Sequence, residues 1–460
     1  MHTDEAVNGY ITGQLLAGEI YHYDNHDRHG PALYAAALPI ARLAGAKNLA
    51  TLDETTLRLA SVLAGVLVVL FFAFAVPEIG LAAAAIAALL WAVAALPVYY
   101  DRYFIHETLF VAATSGFLLA GWRLLNTASL ASGALTGLCA ALMLACKETA
   151  VLNFAAAGAA VVWWWLETRH TRKSIFGFNS ARWPAGAAAL GVFLAVLALL
   201  FSWGGQNWQG LADLARSVPR LLVRASGEGH EKTASYYLTL LGNGWSGRMF
   251  LALAFCGSVS VVLKKSAASS LSLRLCLVYA LAIGVIYSAI PYKTPWLALN
   301  LWLPLSVLAG AGAVAIWCAA KSSFARWVLL AFAALMLVAL GRTTWKWVFL
   351  LPSDERNPYA YAHTGEDVLR LQEFFDKPAR RDAIIAVLAT DSWPLPWYLR
   401  HCSRVGFWQP EQDPGAADFY ITLPEAAERM QSRLKDWRPE FYGVRPGVLL
   451  ILWTPPEKLP

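Results

Sequence analysis

LRLASVLAGVLVVLFFAFAV, residues 57–76, holds a single charge, Arg58, in twenty positions. As a helix rising about 1.5 Å per residue it is about 30 Å long, the thickness of a bilayer's hydrocarbon core. Runs of similar length and texture recur at 79–98, 107–124, 130–147, 149–166, 185–203, 246–264, 272–290, 296–318 and 326–343. They predict an all-α polytopic membrane protein with about ten spans, joined by short polar stretches. The composition agrees, with 58% hydrophobic residues, 15% charged and mean hydropathy +0.47. Soluble domains carry roughly 25% charged residues, so a soluble protein is excluded.

Net charge is +6 with pI near 8.9, but the basic residues are scattered through short loops and form no patch. Nucleic acid is therefore not an expected partner, whereas the lipid bilayer is. Cys139, Cys146, Cys256, Cys276 and Cys318 lie in or beside apolar runs and Cys402 stands alone, which predicts neither a disulfide framework nor a thiolate metal site. The first sixty residues hold no run long and apolar enough to span. Residues 31–46 (PALYAAALPIARLAGA) are apolar but short, interrupted by Pro39 and Arg42, and predict a helix at the membrane interface.

Beyond residue 343 polar residues and prolines rise. DAIIAVLAT, DFYITL and GVLLILW predict buried strands, alternating with amphipathic stretches at 364–375 and 424–437. The expected organisation is a transmembrane domain at 1–343, with 1–56 as a first external loop carrying interfacial helices, and a soluble α/β domain at 344–460.

Lys and Arg in short loops mark the cytoplasmic side. Arg169, Arg172, Lys173 and Arg182 mark one such loop, Lys264, Lys265 and Arg274 a second, and Lys321 and Arg326 a third. Two crossings separate each from the next, so all three are cytoplasmic together. This places 1–56, 99–107, 204–245, 291–295 and everything after Thr343 on the external face, where the unusual polar residues lie.

The first external segment holds Asp4 and Glu5 side by side and ends in His26, Asp27, Arg28, His29, Gly30 and Pro31. A carboxylate pair at a membrane boundary serves as general base for a hydroxyl, binds a cation, or is simply a solvated acidic loop. His22, His26 and His29 have no matching second half, so no metal is expected, although a divalent cation stays open. Residues 97–110 (PVYYDRYFIHETLF) are so short that Asp101, Arg102, His106 and Glu107 must all sit near the membrane surface. Charges there cost several kcal/mol against lipid, so a cavity lined by them is expected. Lys147 and Glu148 read equally as a turn between two spans or as a charge pair on that cavity.

Arg216, Arg220 and Arg224 recur every four residues and suit a helix resting on anionic headgroups. His230, Lys232, Tyr236 and Tyr237 follow, and Lys293 stands among prolines and aromatics in IPYKTPW. Such a lysine snorkels, or holds a lipid phosphate. Acidic residues early and basic residues late in one external cavity suit transfer from a lipid-linked phosphate donor: a carboxylate deprotonates an acceptor hydroxyl while cations stabilise the departing phosphate.

HTDEAVNGY (2–10), YHYDNHDRHGP (21–31), YYDRYFIHE (99–107), CKETA (146–150), IPYKTPW (290–296) and DSWPLPWYLR (391–400) occur in this order. Together they resemble the class C (GT-C) glycosyltransferases that use polyprenyl-phosphate sugars, which include protein O-mannosyltransferases and lipid A aminoarabinose transferases. The resemblance covers nearly the whole chain and is closest to the flippase-activity-associated subfamily of archaeal and bacterial N-glycosylation. It implies Asp4 as the catalytic acidic residue with Glu5 beside it, Glu107 as the second-loop acidic residue, and Arg102, His230, Lys232 and Lys293 as partners of the donor phosphate.

His29, Asp101, His106, Lys147, Glu148, Tyr236 and Tyr237 are candidate cavity-lining residues. The implied partners are a polyprenyl-phosphate-linked sugar and an acceptor lipid, glycan or protein, with no cofactor. The implied rival function is a non-catalytic lipid-binding protein that assists flipping. Relatives carry a span directly before the acidic pair, so one is expected upstream of His2.

Reporters fused after Trp165 or at Ser266 are expected to register cytoplasm, and reporters at Gly227 or after Pro460 the outside. A cytoplasmic signal at Gly227 overturns this orientation.

Overall fold

A computed structural model describes residues 1–24, 28–168, 183–227, 229–263, 268–361 and 363–456. His26, Asp27, the loop of Arg169, Arg172, Lys173 and Arg182, and also Lys264, Lys265 and Ser266, lie outside the described residues. The chain divides into two compact units. The helical unit comprises Ile20–Ala37 and Arg58–Pro352, and the mixed unit comprises Met1–Glu19, Leu38–Leu57 and Ser353–Pro460. The soluble portion read from composition at 344–460 is thus joined by the first nineteen residues and by 38–57.

In the helical unit, all ten apolar runs are helical. Among the described residues, eight helices are long and apolar enough to cross a membrane: Glu54–Phe74, His106–Thr127, Ala150–Thr168, Trp183–Phe201, Gly244–Leu263, Leu271–Ala289, Pro295–Ala319 and Ser323–Leu350. Leu81–Val93 and Ala95–Asp101 pass the same test only together, and they meet at 63°. The bend falls on Ala94, whose ψ of 145° is extended. Pro97, with no N–H to donate to the carbonyl four residues back, removes the bond that would have carried the helix through. Leu130–Cys146, at 17 residues, is the shortest of the ten.

The surface chemistry is that of an integral membrane protein. Leu63, Val66, Leu70 and Phe74 of the first span are 47–56% exposed, while Ala60, Ala64, Val68 and Phe72 on its other face are buried. Large exposed tryptophans stand at span ends, Trp183, Trp245, Trp317, Trp327 and Trp345 among them, where indole rings favour the headgroup level.

Between lipid-facing helices there is little hydrophobic drive, so close backbone approach does the joining. Gly133 and Gly137, four apart on Leu130–Cys146, lie against Trp183–Phe201 so tightly that a Cβ would fall 2.1 Å from the Ala185 carbonyl and 2.0 Å from that of Ala189.

The mixed unit is built on a five-stranded sheet of β1 (Ile384–Leu388), β2 (Arg404–Trp408), β3 (Phe419–Thr422), β4 (Arg438–Arg445) and β5 (Val448–Thr454), in the order β2-β1-β3-β5-β4. β1 is parallel to both β2 and β3; β5 is antiparallel to β3 and β4. Sequence patterning found β1, β3 and β5, the three inner strands, and missed β2 and β4, the two edges. Edge strands need no continuous apolar run: β4 opens Arg-Pro-Glu, with Pro439 placed where an edge tolerates it.

Helix Thr3–Leu16 packs in this same unit. A Cβ on Gly9 would fall 2.7 Å from the Trp397 ring, and Tyr10 meets Trp393 edge-on at 5.8 Å. Trp397 Nε1 in turn donates to Glu54 Oε1 at 2.7 Å. HTDEAVNGY and DSWPLPWYLR, far apart in sequence, are therefore packing partners. Helix Ala32–Leu43 appears within the 31–46 stretch, with Leu33, Tyr34, Ala37, Leu38 and Ala41 buried in protein, so its apolar face is not turned to headgroups.

Gly137→Val is expected to force apart Leu130–Cys146 and Trp183–Phe201 and to cost about 1–3 kcal/mol by overpacking. Thermal unfolding in detergent checks this; Gly191→Val, where nothing lies within 4 Å, is the neutral control.

Candidate active site

Three helix ends and the 20–37 segment of the helical unit bring Glu107, Lys147, Glu148 and His29 together. Lys147 ends Leu130–Cys146 as its C-cap, and Glu148 follows in the turn before Ala150–Thr168. The two do not pair with each other. Lys147 Nζ donates to Glu107 Oε1, across from the start of His106–Thr127. Glu148 accepts from the Tyr23 hydroxyl at Oε1 and lies 3.4 Å from His29 Nδ1 at Oε2.

Burial opposes the charge on Lys147, but the Glu107 carboxylate, with smaller help from Tyr292 and Glu148, holds its pKa above the ordinary lysine value. Burial likewise opposes the charge on Glu148, but the hydrogen bonds from His29 and Tyr23 bring its pKa down to about 2. Both residues are charged at neutral pH, and each is buried with a partner.

Gly30 sets this geometry. Its N–H donates to the Cys146 carbonyl at 3.3 Å, and a Cβ there would fall 2.1 Å from the Ala145 carbonyl, so no other residue fits. His106 Nε2 donates to the Gly30 carbonyl at 3.1 Å, and the His106 and His29 rings meet edge-on at 5.3 Å. His29 itself stays open, with its side chain 34% exposed, while Glu148 holds its other ring nitrogen. A carboxylate on one imidazole nitrogen orients the ring.

A second group joins the late segments. Lys232 N–H donates to the Pro291 carbonyl and Lys293 N–H to the His230 carbonyl, both at 3.1 Å, and Glu231 pairs antiparallel with Tyr292. The His230 and Tyr292 rings are 4.8 Å apart. Lys293 is 1% exposed, with its ammonium donating to the carbonyls of Ile290 and Lys232. Tyr237 is buried, donates to the Thr294 carbonyl at 3.3 Å, and packs beside Tyr236.

Two candidates go elsewhere. Arg102 donates to the Val348 carbonyl at 3.1 Å and lies over the Phe349 ring at 4.5 Å. Asp101 accepts from Trp91 Nε1 at 3.0 Å and crowds Gly65, braced against the bent span, not beside Glu107. Sequence reading did not single out Tyr23, Asn153 or Tyr287. Asn153 Nδ2 donates to the Tyr287 hydroxyl at 3.3 Å, and the Tyr279 hydroxyl to Asn153 Oδ1 at 2.5 Å; an asparagine within an apolar run is the signal that could have found it.

Asp4 and Glu5 belong to the mixed unit. Glu5 is fully buried and Oε2 accepts from the His2 N–H at 3.1 Å, while His2 Nδ1 accepts from the Asp4 N–H at 3.0 Å. This is a reciprocal capping box with histidine at the N-cap. It consumes Glu5 in the helix start and leaves the Asp4 side chain 49% exposed. Among the described residues no cluster of three or more His, Cys, Asp or Glu is placed to hold a metal.

No family model matches the chain, and no curated protein matches it by sequence. Solved structures do match. ArnT from Cupriavidus metallidurans bound to undecaprenyl phosphate is 15% identical, covering 98% of this chain and 93% of its own, with a TM-score of 0.66. The Archaeoglobus fulgidus oligosaccharyltransferase, in complex with Zn and sulfate, is 12% identical over 96% of this chain and 69% of its own, with a TM-score of 0.53. The mycobacterial arabinofuranosyltransferase AftD is 14% identical over 99% of this chain and 38% of its own, with a TM-score of 0.51. The fold is therefore that of the class C glycosyltransferases, as the ordered segments implied.

Removing one member of the buried Glu107–Lys147 pair strands the other. Glu107→Gln and Lys147→Met are each expected to destabilise by about 3–5 kcal/mol, and the double variant by clearly less than the sum. Chemical unfolding in detergent measures the coupling; additive losses would mean that the pair is not formed.

Proposed function

We propose that the chain is a membrane glycosyltransferase that moves a sugar from a polyprenyl-phosphate donor to an acceptor hydroxyl at the outer face, with inversion and with Asp4 as general base. The observation that carries this reading is the division of labour between the adjacent acids: Glu5 is buried in the cap, and Asp4 is displayed. Glu107, the other carboxylate implied as catalytic, is buried and paired with the Lys147 ammonium. The fold likeness to ArnT, whose structure holds undecaprenyl phosphate, supports a polyprenyl-phosphate donor.

In this mechanism Asp4 takes the proton of the acceptor hydroxyl as its oxygen attacks the anomeric carbon. The bond from that carbon to the phosphate oxygen breaks, and polyprenyl phosphate departs. Positive charge near the leaving phosphate lowers the barrier because its charge grows in the transition state. The resemblance assigns this charge to His230, Lys232 and Lys293, which the strand-paired late segments hold together. Arg102, the other cation the resemblance implies, donates to the Val348 carbonyl.

Purified protein incubated with a panel of polyprenyl-phosphate sugars is expected to release polyprenyl phosphate. A positioned base contributes roughly a hundred- to ten-thousand-fold, so Asp4→Asn is expected to lose turnover by that factor and still bind donor. Glu5→Gln keeps an acceptor at the cap and is expected to cost less. Normal turnover in Asp4→Asn removes Asp4 as the base. Donor binding without turnover of any donor by the wild type supports the non-catalytic lipid-binding function instead.

Lys293→Ala is expected to weaken donor binding more than Lys293→Arg, because arginine keeps the charge while changing the geometry. Unchanged donor affinity in the alanine variant reduces Lys293 to an organiser of the 290–295 turn.

A further inference from the structure

A cavity of about 330 Å³ lies inside the helical unit, walled mainly by the crossing helices Glu54–Phe74, His106–Thr127, Ala150–Thr168, Leu271–Ala289 and Pro295–Ala319. It is separate from the charged group at the helix ends. Glu107 opens the His106–Thr127 helix, whereas the cavity is lined by residues further along it, from Ser115 to Leu125. Phe71, Phe117, Trp122 and Leu303 are among its apolar wall. A space of this size falls within the range of about 300–1,000 Å³ that ligand pockets occupy. Left empty, it would forfeit dispersion contacts on every side.

The polar side chains on the wall decide what can fill it. Ser115 Oγ donates to the Val111 carbonyl at 2.9 Å and Thr136 Oγ1 to the Ser132 carbonyl at 2.7 Å. The Tyr279 hydroxyl donates to Asn153 Oδ1 at 2.5 Å, Cys276 Sγ to the Pro304 carbonyl at 3.6 Å, and Ser272 Oγ to the Glu78 carbonyl. Each of these hydroxyl and thiol hydrogens is spent on protein. A buried water needs about two to four polar partners, and a polar ligand needs donors and acceptors aimed at it. A hydrocarbon chain needs neither, and between helices that cross a bilayer the hydrocarbon at hand is lipid.

Charge on the rim selects the kind of lipid. Glu78, on the cavity wall, accepts from Arg123 Nε at 2.8 Å, and Arg123 Nη2 donates to the Phe74 carbonyl at 2.6 Å. This holds the guanidinium in place with the Arg123 side chain still 40% exposed, and leaves Nη1 to an outside acceptor. A fixed, partly uncovered guanidinium matches a phosphate.

We propose that the cavity is a phospholipid site, in which one acyl chain fills the apolar space and Arg123 holds that lipid's phosphate at the rim. None of its residues belongs to the group assigned above to the donor phosphate, and the site stands whether or not Asp4 is the base.

The test is photolabelling of the full chain in detergent with a phosphatidylglycerol that carries a diazirine on one acyl chain, read by mass spectrometry of the labelled peptides. Label on residues 115–125 and 157–161 is expected to saturate and to be displaced by unlabelled phosphatidylglycerol. Exposed residues such as Leu63 and Val285 supply the non-saturating background. Ala157→Phe and Val161→Phe each place a ring in the cavity and are expected to lose the saturable label, while Leu190→Phe, at a position exposed on Trp183–Phe201, keeps it. Arg123→Gln is expected to weaken the apparent Kd for phosphatidylglycerol about tenfold, the loss of one charge-assisted hydrogen bond.

Thermal unfolding reports whether each ring variant folds; if neither does, Arg123→Gln carries the test. Saturable label at the wild-type level in a folded ring variant, or an unchanged Kd in Arg123→Gln, overturns the proposal. Label that never saturates marks a merely lipid-exposed surface and overturns it too. Displacement by polyprenyl phosphate at lower concentration than by phosphatidylglycerol gives the cavity to the donor's chain instead.

Discussion

The pairing of buried charges at the helix ends is the constraint on which the helical unit depends. A carboxylate or ammonium taken out of water costs several kcal/mol even after relaxation, and that cost is met only by a partner of opposite sign in good geometry. Lys147 and Glu148 are adjacent in sequence, yet each is satisfied by a different element: Lys147 by Glu107, and Glu148 by Tyr23 and His29. Two neighbouring charges pointing opposite ways thereby pin two other segments to one turn. Had they paired with each other, the turn would have been locally neutral and would have positioned nothing else.

Around that turn the structure relies on close backbone contact. Gly30 lets the 28–31 segment lie on the end of Leu130–Cys146, and Gly133 and Gly137 let the same helix touch Trp183–Phe201 along its other side. In a lipid environment, where leucine gains nothing by leaving the solvent for a neighbouring helix, such contacts and interhelical hydrogen bonds set which helices meet. The Leu130–Cys146 helix is accordingly the hinge point of the site: its small residues place it, and its two terminal charges gather the polar residues of other elements.

In the mixed unit the same economy works through the capping box. The helix start needs its N–H groups satisfied, and one of two adjacent acids is spent on that need. The other is left with its carboxylate exposed. A structural requirement at a helix terminus thus produces an asymmetric pair from two chemically similar residues, and the asymmetry is what assigns Asp4 and Glu5 different chemistry.

The ten apolar runs, the inner strands and the ordered polar segments were legible in the sequence, because lipid thickness imposes run length and buried strands impose continuous apolarity, both local properties of the chain. The edge strands β2 and β4 were not, since an edge is defined by having no neighbour on one side, and that is a fact of tertiary arrangement. Which acid is free, which histidine stays open beside Glu148, and that Asp101 braces a bent span instead of joining Glu107, were likewise decided only by folding. By itself the sequence determined which residues are too polar to face lipid. The choice of partner for each depends on groups tens to hundreds of residues away, as the Asp4-bearing helix packed on Trp397 and the Lys147 ammonium on Glu107 show, and no local pattern encodes a contact of that kind.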